Sequence, residues 1–142
     1  MTQLDLYHEA IVTRARSGFG SGRLAQPHSS LTVDNPLCGD RVIMDVCTDA
    51  DIVASIGYVV RGCLLCEAAA SVIAEEAIGE RAKNLYAITE LVQSMLETKS
   101  PTLLEWASLE MFRPVADYRS RHLCVLLPFQ ALVGALKNVI PE

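Results

Sequence analysis

The spacing of hydrophobic residues predicts a helix near the start of the chain. Between residues 3 and 16, side chains that favour burial recur three or four positions apart, which is the period of an amphipathic helix. These positions are Leu4, Tyr7, His8, Ile11 and Val12. The run Ser17–Gly22 then ends the helix and predicts a mobile loop. It is not a phosphate-binding loop, because it lacks the Gly-Lys-Ser/Thr ending and no strand precedes it.

The period then changes to the alternation that is typical of β-strands. Residues 31–34 predict a short strand that leads into a turn. Residues 41–48 alternate well enough for a strand, and residues 52–60 are rich in β-branched and aromatic side chains. One face of the 41–48 strand carries Val42, Met44 and Val46. The tight connection at residues 49–51 joins these two strands in a predicted hairpin.

Helical patterns return in the second half of the chain. They cover Cys63 to Ile78, residues 82–97, residues 103–111 and residues 120–138. An irregular passage is expected from Arg113 and Pro114, and Pro128 should kink the last helix or delay its start. The order of elements predicts an α+β fold, with a small antiparallel sheet of about three strands and helices packed on one face.

Composition limits the classes of function. A chain of 142 residues with 51% hydrophobic content predicts one domain over residues 1–142. A net charge of −5 argues against nucleic-acid binding, which depends on neutralising phosphates. No segment approaches the roughly 18 uninterrupted apolar residues of a membrane span, so no membrane partner is expected. The N-terminus lacks the features of a secretion signal, which predicts a cytoplasmic protein.

The cysteines are the candidate chemical groups. Five cysteines form an odd set at spacings unlike a disulfide framework, and in a cytoplasmic chain such residues are more often metal-binding or catalytic. The turn at residues 35–40 places Cys38 and Asp40 two positions apart, where one ion can contact both. Cys63 and Cys124 each stand where a helix is predicted to begin. Three thiolates and one carboxylate make the four ligands that a tetrahedral zinc or an iron–sulfur site needs.

The predicted helix starts also favour the charged form of two thiols. The dipole and free N–H groups at a helix N-terminus lower the pKa of a cysteine placed there, which applies to Cys63 and Cys124. Arg121 and His122 directly precede Leu123 and Cys124, and a nearby cation acts in the same direction. We therefore expect both residues to be thiolates.

Three motifs resemble a known family. They are N-P-L-C-G-D at 35–40, G-C-L-L-C-E-A-A-A-S at 62–71 and R-H-L-C-V-L-L at 121–127, and they are similar to those of the U-type iron–sulfur cluster assembly proteins IscU, SufU and the NifU N-terminal domain. The resemblance implies a SufE/NifU-like fold in which Cys38, Asp40, Cys63 and Cys124 bind Zn²⁺ or a nascent [2Fe–2S] cluster. It also implies that Cys38 or Cys124 accepts persulfide sulfur from a cysteine desulfurase of the SufS/IscS type, and that apo-proteins accept the cluster.

Two features favour the SufU branch, and others depart from the family. Cys63 and Cys124 are far apart in the chain, and Arg121 stands three residues before Cys124 with no histidine directly beside that cysteine. Cys66 replaces the small or hydroxyl residue that is usual in the family. Residues 13–16 replace its aspartate–histidine–tyrosine run. These departures bear on the docking surface and on which metal is bound.

Two alternatives remain open. Cys63 and Cys66 would form the CxxC pair of a dithiol oxidoreductase, although such an enzyme has no use for Asp40. The second alternative is an interaction module in which zinc has a purely structural role. The main hypothesis is a scaffold or sulfur acceptor, including a zinc-dependent sulfurtransferase, rather than a turnover enzyme. Cys66, Arg121 and His122 are auxiliary candidates: Cys66 as a packing residue or substitute ligand, and the other two as surface residues or supports beside the thiolates.

Overall fold

A computed structural model describes residues 3–37, 39–99 and 105–140, with residues 3–7 described by their backbone alone. The strands are β1 (Ser29–Asp34), β2 (Arg41–Asp49) and β3 (Ile52–Arg61). The α-helices are α1 (Gln3–Ser17), α2 (Leu64–Glu76), α3 (Ala82–Thr98) and α4 (His122–Lys137). Between α3 and α4 lie two 3-10 helices, Ala107–Asp117 and Arg119–Arg121.

The three strands form an antiparallel sheet in the order β1-β2-β3. Asp34 pairs with Arg41 at the turn end of the first hairpin, and a bulge follows Cys47 near the end of β2. The predicted apolar face of β2 is confirmed, because Val42 and its two partners at alternate positions are fully buried. The α+β prediction is therefore confirmed, and β1 begins two residues earlier than expected.

The helices cover the apolar face of the sheet. Helix α4 packs against β1 and β2, and α2 packs against β3, α1 and α4. Helix α4 approaches β1 closely at Gly134, where an added Cβ would lie 2.3 Å from Cδ2 of Leu31. Among the described residues, no helix combines the length and apolar character that crossing a bilayer requires. This packing places the start of α4 and the start of α2 at the same end of the sheet.

The opposite face of β2 contains a buried carboxylate, Asp45, which is fully shielded from solvent. It accepts hydrogen bonds from the Arg23 guanidinium at 2.7 and 3.1 Å, from the Leu24 N–H at 3.0 Å and from the Ser30 hydroxyl at 2.5 Å. Burial by itself would raise the pKa of Asp45, but these hydrogen bonds and the Arg23 charge hold the pKa below its usual value. The segment after α1 is thereby tied to the sheet.

The glycine-rich segment differs from the mobile loop that was predicted. Gly22 N–H donates to the Tyr58 carbonyl at 2.7 Å, and the Tyr58 hydroxyl donates to the Phe19 carbonyl at 3.0 Å. Gly20 has φ +78°, and an added Cβ there would lie 2.4 Å from the Cβ of Ala74 in α2. These glycines allow the chain to lie close against β3 and α2, so the segment is docked.

Two predictions for the second half need correction. Residues 107–117 form a 3-10 helix that continues through Pro114, where an irregular passage was expected; residues 101–104 lie outside the described residues. Helix α4 begins at His122, two residues later than predicted, and runs through the buried Pro128. Pro128 has no N–H to donate to the carbonyl of Cys124, four residues earlier. The helix continues nevertheless, because most of its residues are buried in the core.

Candidate metal centre

The loop between β1 and β2 presents the candidate carboxylate. Asn35 N–H donates to the Asp40 carbonyl at 2.8 Å, and the Asn35 side chain accepts a hydrogen bond from Leu37 N–H at 3.1 Å. Gly39 has φ +75°, a conformation that glycine adopts without strain. These contacts fix both ends of the loop. Asp40 directly follows Gly39 and is only 4% exposed.

The junction of β3 and α2 brings a thiol to this carboxylate. Cys63 is the N-cap residue of α2, and its Sγ lies 3.9 Å from Oδ2 of Asp40. Gly62 allows this approach, because a Cβ added there would lie 2.4 Å from Oδ1 and 2.7 Å from Cγ of Asp40. Any larger residue at position 62 would occupy the space of the carboxylate.

Helix α4 supplies the third group. Cys124 lies in its first turn and is 1% exposed. The ligand atoms of Asp40, Cys63 and Cys124 all lie within 4.8 Å of one another. Three elements that are distant in the chain therefore converge, as the sequence predicted for these three residues. Cys38, the fourth predicted ligand, lies outside the described residues.

Burial dominates the electrostatics of Cys124. It raises the pKa of this thiol, and the neighbouring Cys63 and Asp40 raise the pKa further. The expectation that the helix N-terminus, Arg121 and His122 would lower this pKa is therefore wrong, because the thiol is enclosed by the core. A bound cation would act in the opposite direction, since coordination deprotonates a thiol outright.

The auxiliary candidates separate into three environments. Cys66 is fully buried in the first turn of α2. The His122 ring lies 3.1 Å from the Ala116 carbonyl, to which a ring N–H donates, so this contact engages the ring at the start of α4. Arg121 is exposed and lines a cavity that reaches Cys63. Of these three residues Arg121 is the most exposed.

The cavity beside Cys63 has a volume of about 400 Å³. It lies between α1, the start of α2 and the segment that precedes α4. Its lining is mainly apolar and includes Ile11, Leu64 and Val115, and its basic side chains are Arg121 and His8. Leu64 and Tyr118, which border it, are 41% and 51% exposed. Cys63 is one of the residues that line this cavity, and it is itself only half-buried.

The donor set fits a borderline or soft metal. Two sulfurs and one carboxylate oxygen are ligands that zinc accepts, and thiolates are also the usual ligands of iron–sulfur clusters. A group of three leaves a fourth position for another ligand. Sequence reasoning missed the role of Gly62; a glycine directly before a ligand cysteine was the available signal, but its contact with Asp40 exists only in the fold.

Comparison with known proteins gives a consistent picture. Residues 6–125 match the family model described as the NifU-like N-terminal domain. A protein named iron–sulfur cluster assembly scaffold protein IscU from Thermotoga maritima is 25% identical over 134 residues, which cover 94% of each chain. The zinc-dependent sulfurtransferase SufU from Bacillus subtilis is 25% identical over 130 residues, 89% of this chain and 86% of that one.

Solved structures agree. The N-terminal part of a NifU-like protein from Brucella abortus superimposes with a TM-score of 0.90 at 31% identity, covering 95% of this chain and 94% of that one. A SufU from Fervidobacterium islandicum AW-1 has a TM-score of 0.84 at 23% identity, covering 96% and 100% of the two chains. The second likeness supports the fold alone.

Proposed function

Because the chain belongs to the NifU-like N-terminal domain family, we propose that it is an iron–sulfur cluster assembly protein of the IscU/SufU type. In this proposal residues 1–142 act as one scaffold domain in the cytoplasm. The observation that carries the proposal is the convergence of Asp40, Cys63 and Cys124 within 4.8 Å. Few other tasks require a carboxylate and two thiols from three separate elements at one point.

Cys38 completes the proposed ligand set. It stands two residues before Asp40 in a loop whose two ends are hydrogen-bonded together. With Cys38, the set contains three thiolates and one carboxylate, enough for one Zn²⁺ or for a nascent [2Fe–2S] cluster. The carboxylate argues for a site that can open, because a hard oxygen ligand leaves a soft metal more readily than sulfur does.

The chemistry we propose is the acceptance of sulfur from a cysteine desulfurase. A thiolate of this chain, Cys38 or Cys124, attacks the terminal sulfur of the desulfurase persulfide. A new S–S bond forms on the acceptor, the old S–S bond breaks, and the desulfurase cysteine leaves as a thiolate, so the exchange is redox-neutral. A bound metal would supply the charge that keeps the waiting thiols deprotonated.

The surroundings of the site suit a visiting protein segment. Leu37, beside Cys38 in the sequence, is 90% exposed, and Leu64, beside Cys63, is also exposed. In this proposal both leucines contact the desulfurase when it docks. The cavity that Leu64 and Arg121 line would receive the persulfide-bearing segment, and Arg121 would favour its negative charge.

Anaerobic purification with measurement of zinc, iron and acid-labile sulfide tests the metal centre. Zinc without sulfide supports a SufU-type sulfur acceptor, and matched iron and sulfide support an IscU-type scaffold. If the protein holds neither zinc nor an iron–sulfur cluster in stoichiometric amount, even after reconstitution, the proposal is refuted. Replacement of Cys63 by Ala removes the thiol that lies 3.9 Å from Asp40 and should weaken binding strongly in either case.

A persulfide-transfer assay with a cysteine desulfurase tests the acceptor role. Cys38→Ala or Cys124→Ala should lose sulfur acceptance. Cys47→Ala is the matched control, because Cys47 lies on β2 and its thiol donates to the Gln26 carbonyl at 3.4 Å, away from the site. Unchanged acceptance in both site variants would contradict the role.

The oxidoreductase alternative receives no support from the geometry. Cys63, which would have to open an external disulfide, meets Asp40 and Cys124 within 4.8 Å, and a dithiol exchange gives that carboxylate no task. In addition, α2 follows an antiparallel strand, and the βαβ context of such enzymes is missing from the described sheet. Ligand exchange tests the other alternative, a purely structural zinc. In that case removal of the zinc would unfold the protein, and added thiols would not reach the ion.

A further inference from the structure

Cys66 is a thiol for which the proposed function so far provides no task. It is the third residue of α2, three positions after the N-cap residue Cys63, so both thiols belong to the start of this helix. Cys66 is 0% exposed, whereas Cys63 is half-buried. A buried cysteine ordinarily packs as a small hydrophobic residue. Its neighbours point to a further role.

The ionisable groups around Cys66 are those of the metal centre. Burial raises the pKa of the Cys66 thiol, and Asp40, Cys63 and Cys124 raise it further, with a smaller contribution from Glu67. Within the described part of the chain, the ligand atoms that meet within 4.8 Å belong to Asp40, Cys63 and Cys124, and Cys66 is not among them. Cys66 is therefore a fully buried thiol in the first turn of α2, at the junction that holds Cys63, and the charges of all three ligand groups act on it.

Sulfur acceptance creates a need for one more donor at this place. A ligand cysteine that bonds to incoming sulfur weakens or loses its bond to the metal. An ion left with three protein ligands takes up water in the fourth position, which is the arrangement of an open site. A buried thiol in the first turn of α2, three positions after Cys63, can occupy that position instead.

We propose that Cys66 is a reserve metal ligand that occupies the coordination position vacated by Cys38 or Cys124. This inference rests on the proposed metal-binding function. In the exchange, the bond between the departing sulfur and the metal breaks, and a bond to Cys66 Sγ forms. The Cys66 proton passes to the displaced thiolate or, when that sulfur is persulfidated, to water. No electron is transferred, and the number of thiolates on the metal stays the same.

Cobalt binding tests this exchange without any activity measurement. Purified apo-protein is titrated with Co²⁺, and the sulfur-to-cobalt charge-transfer absorption reports the number of thiolates bound. Cys124→Ala should keep the full wild-type intensity, because Cys66 replaces the lost ligand. Cys124→Ala/Cys66→Ala should fall to about two thirds of it, as one of three thiolates is lost. Its Co²⁺ affinity should be about ten- to hundredfold weaker than that of Cys124→Ala.

Three controls make the result decisive. Cys124→Ala/Cys47→Ala removes a cysteine away from the site and should match Cys124→Ala. Cys66→Ala alone should match the wild type, since a reserve ligand is not bound at rest. Proteins with and without Cys66 are also compared in a Cys38→Ala background, in case changing Cys124 itself disturbs folding. Alanine is used at position 66 because that position is buried.

The outcomes separate the two proposals. Equal intensity and affinity in the Cys124→Ala protein with and without Cys66, and likewise in the Cys38→Ala protein, would overturn the reserve role while leaving the metal site intact. Loss of one thiolate in Cys66→Ala alone would make Cys66 a resident ligand and would also overturn it. Failure of the wild type to bind Co²⁺ would refute the metal-binding function itself.

Discussion

Replacement of Gly62 by Ala should damage the metal centre without removing any ligand. The added methyl carbon would lie 2.4 Å from Oδ1 of Asp40, whereas an ordinary contact is 3.4 to 4 Å. The carboxylate must therefore withdraw by about 1 Å, several times the roughly 0.2 Å tolerance of a metal–ligand distance. Gly62 has no positive φ that would strain alanine, so the collision is the cause of the effect.

We expect Gly62→Ala to bind Zn²⁺ about ten- to hundredfold more weakly, or about 1.4 to 2.7 kcal/mol, which is the usual cost of disturbing a residue that positions a ligand. Competition with a chromophoric chelator measures this affinity. The matched control is Gly134→Ala, which produces an equally close contact of 2.3 Å, but with the flexible end of Leu31. That variant should bind zinc normally.

A double-mutant cycle with Asp40→Ala identifies the cause. If Gly62→Ala acts only by displacing Asp40, then Asp40→Ala/Gly62→Ala should bind zinc no more weakly than Asp40→Ala alone. Wild-type affinity in Gly62→Ala, or losses that add up in the double variant, would refute the reasoning.

Three further outcomes are expected. Zinc present at about a hundred times its dissociation constant should stabilise the fold by about 2.7 kcal/mol, so a chelator should lower Tm by about 5 to 10 °C in the wild type but not in Cys63→Ala. Asp45→Asn should cost about 2 to 3 kcal/mol in urea unfolding at pH 7. The pKa of Asp45 is lower in the folded protein than in the unfolded chain, where it is about 3.9. Its contribution to stability is therefore present above the unfolded-state pKa and is lost as the pH falls through the folded-state pKa. The difference in unfolding free energy between Asp45→Asn and the wild type should consequently become smaller in acid. Gly20→Ala should lose about 1 to 3 kcal/mol because its methyl group meets Ala74 at a positive φ, and Gly22→Ala, which also has positive φ but open space, should lose less.

Local patterns were sufficient to predict the sheet and most of its partners. Alternation identified the buried face of β2, and a thiol at each predicted helix start identified Cys63 and Cys124 as ligand candidates. These features depend on periods of two and 3.6 residues, which a sequence displays directly. The docking of the glycine-rich segment was missed, because it depends on Tyr58 and Ala74, which come much later in the chain.

The electrostatics could not be predicted from sequence neighbours. Arg121 and His122 stand three and two residues before Cys124 in the sequence, but Arg121 is exposed and the His122 ring contacts the Ala116 carbonyl. The environment of Cys124 is set instead by burial and by Asp40 and Cys63. Likewise the contact of Gly62 with Asp40 joins positions on separate elements. Such effects are three-dimensional, and no window along the chain contains them.

The position of Cys124 at the beginning of the last helix has a consequence for biosynthesis. While the chain is still emerging from the ribosome, Asp40 and Cys63 are available long before Cys124 has been made. A nascent chain that lacks α4 is thus short of one sulfur and of the helix that covers β1 and β2. Metal loading should consequently follow translation, and stable loading would mark those copies of the protein that have been completed.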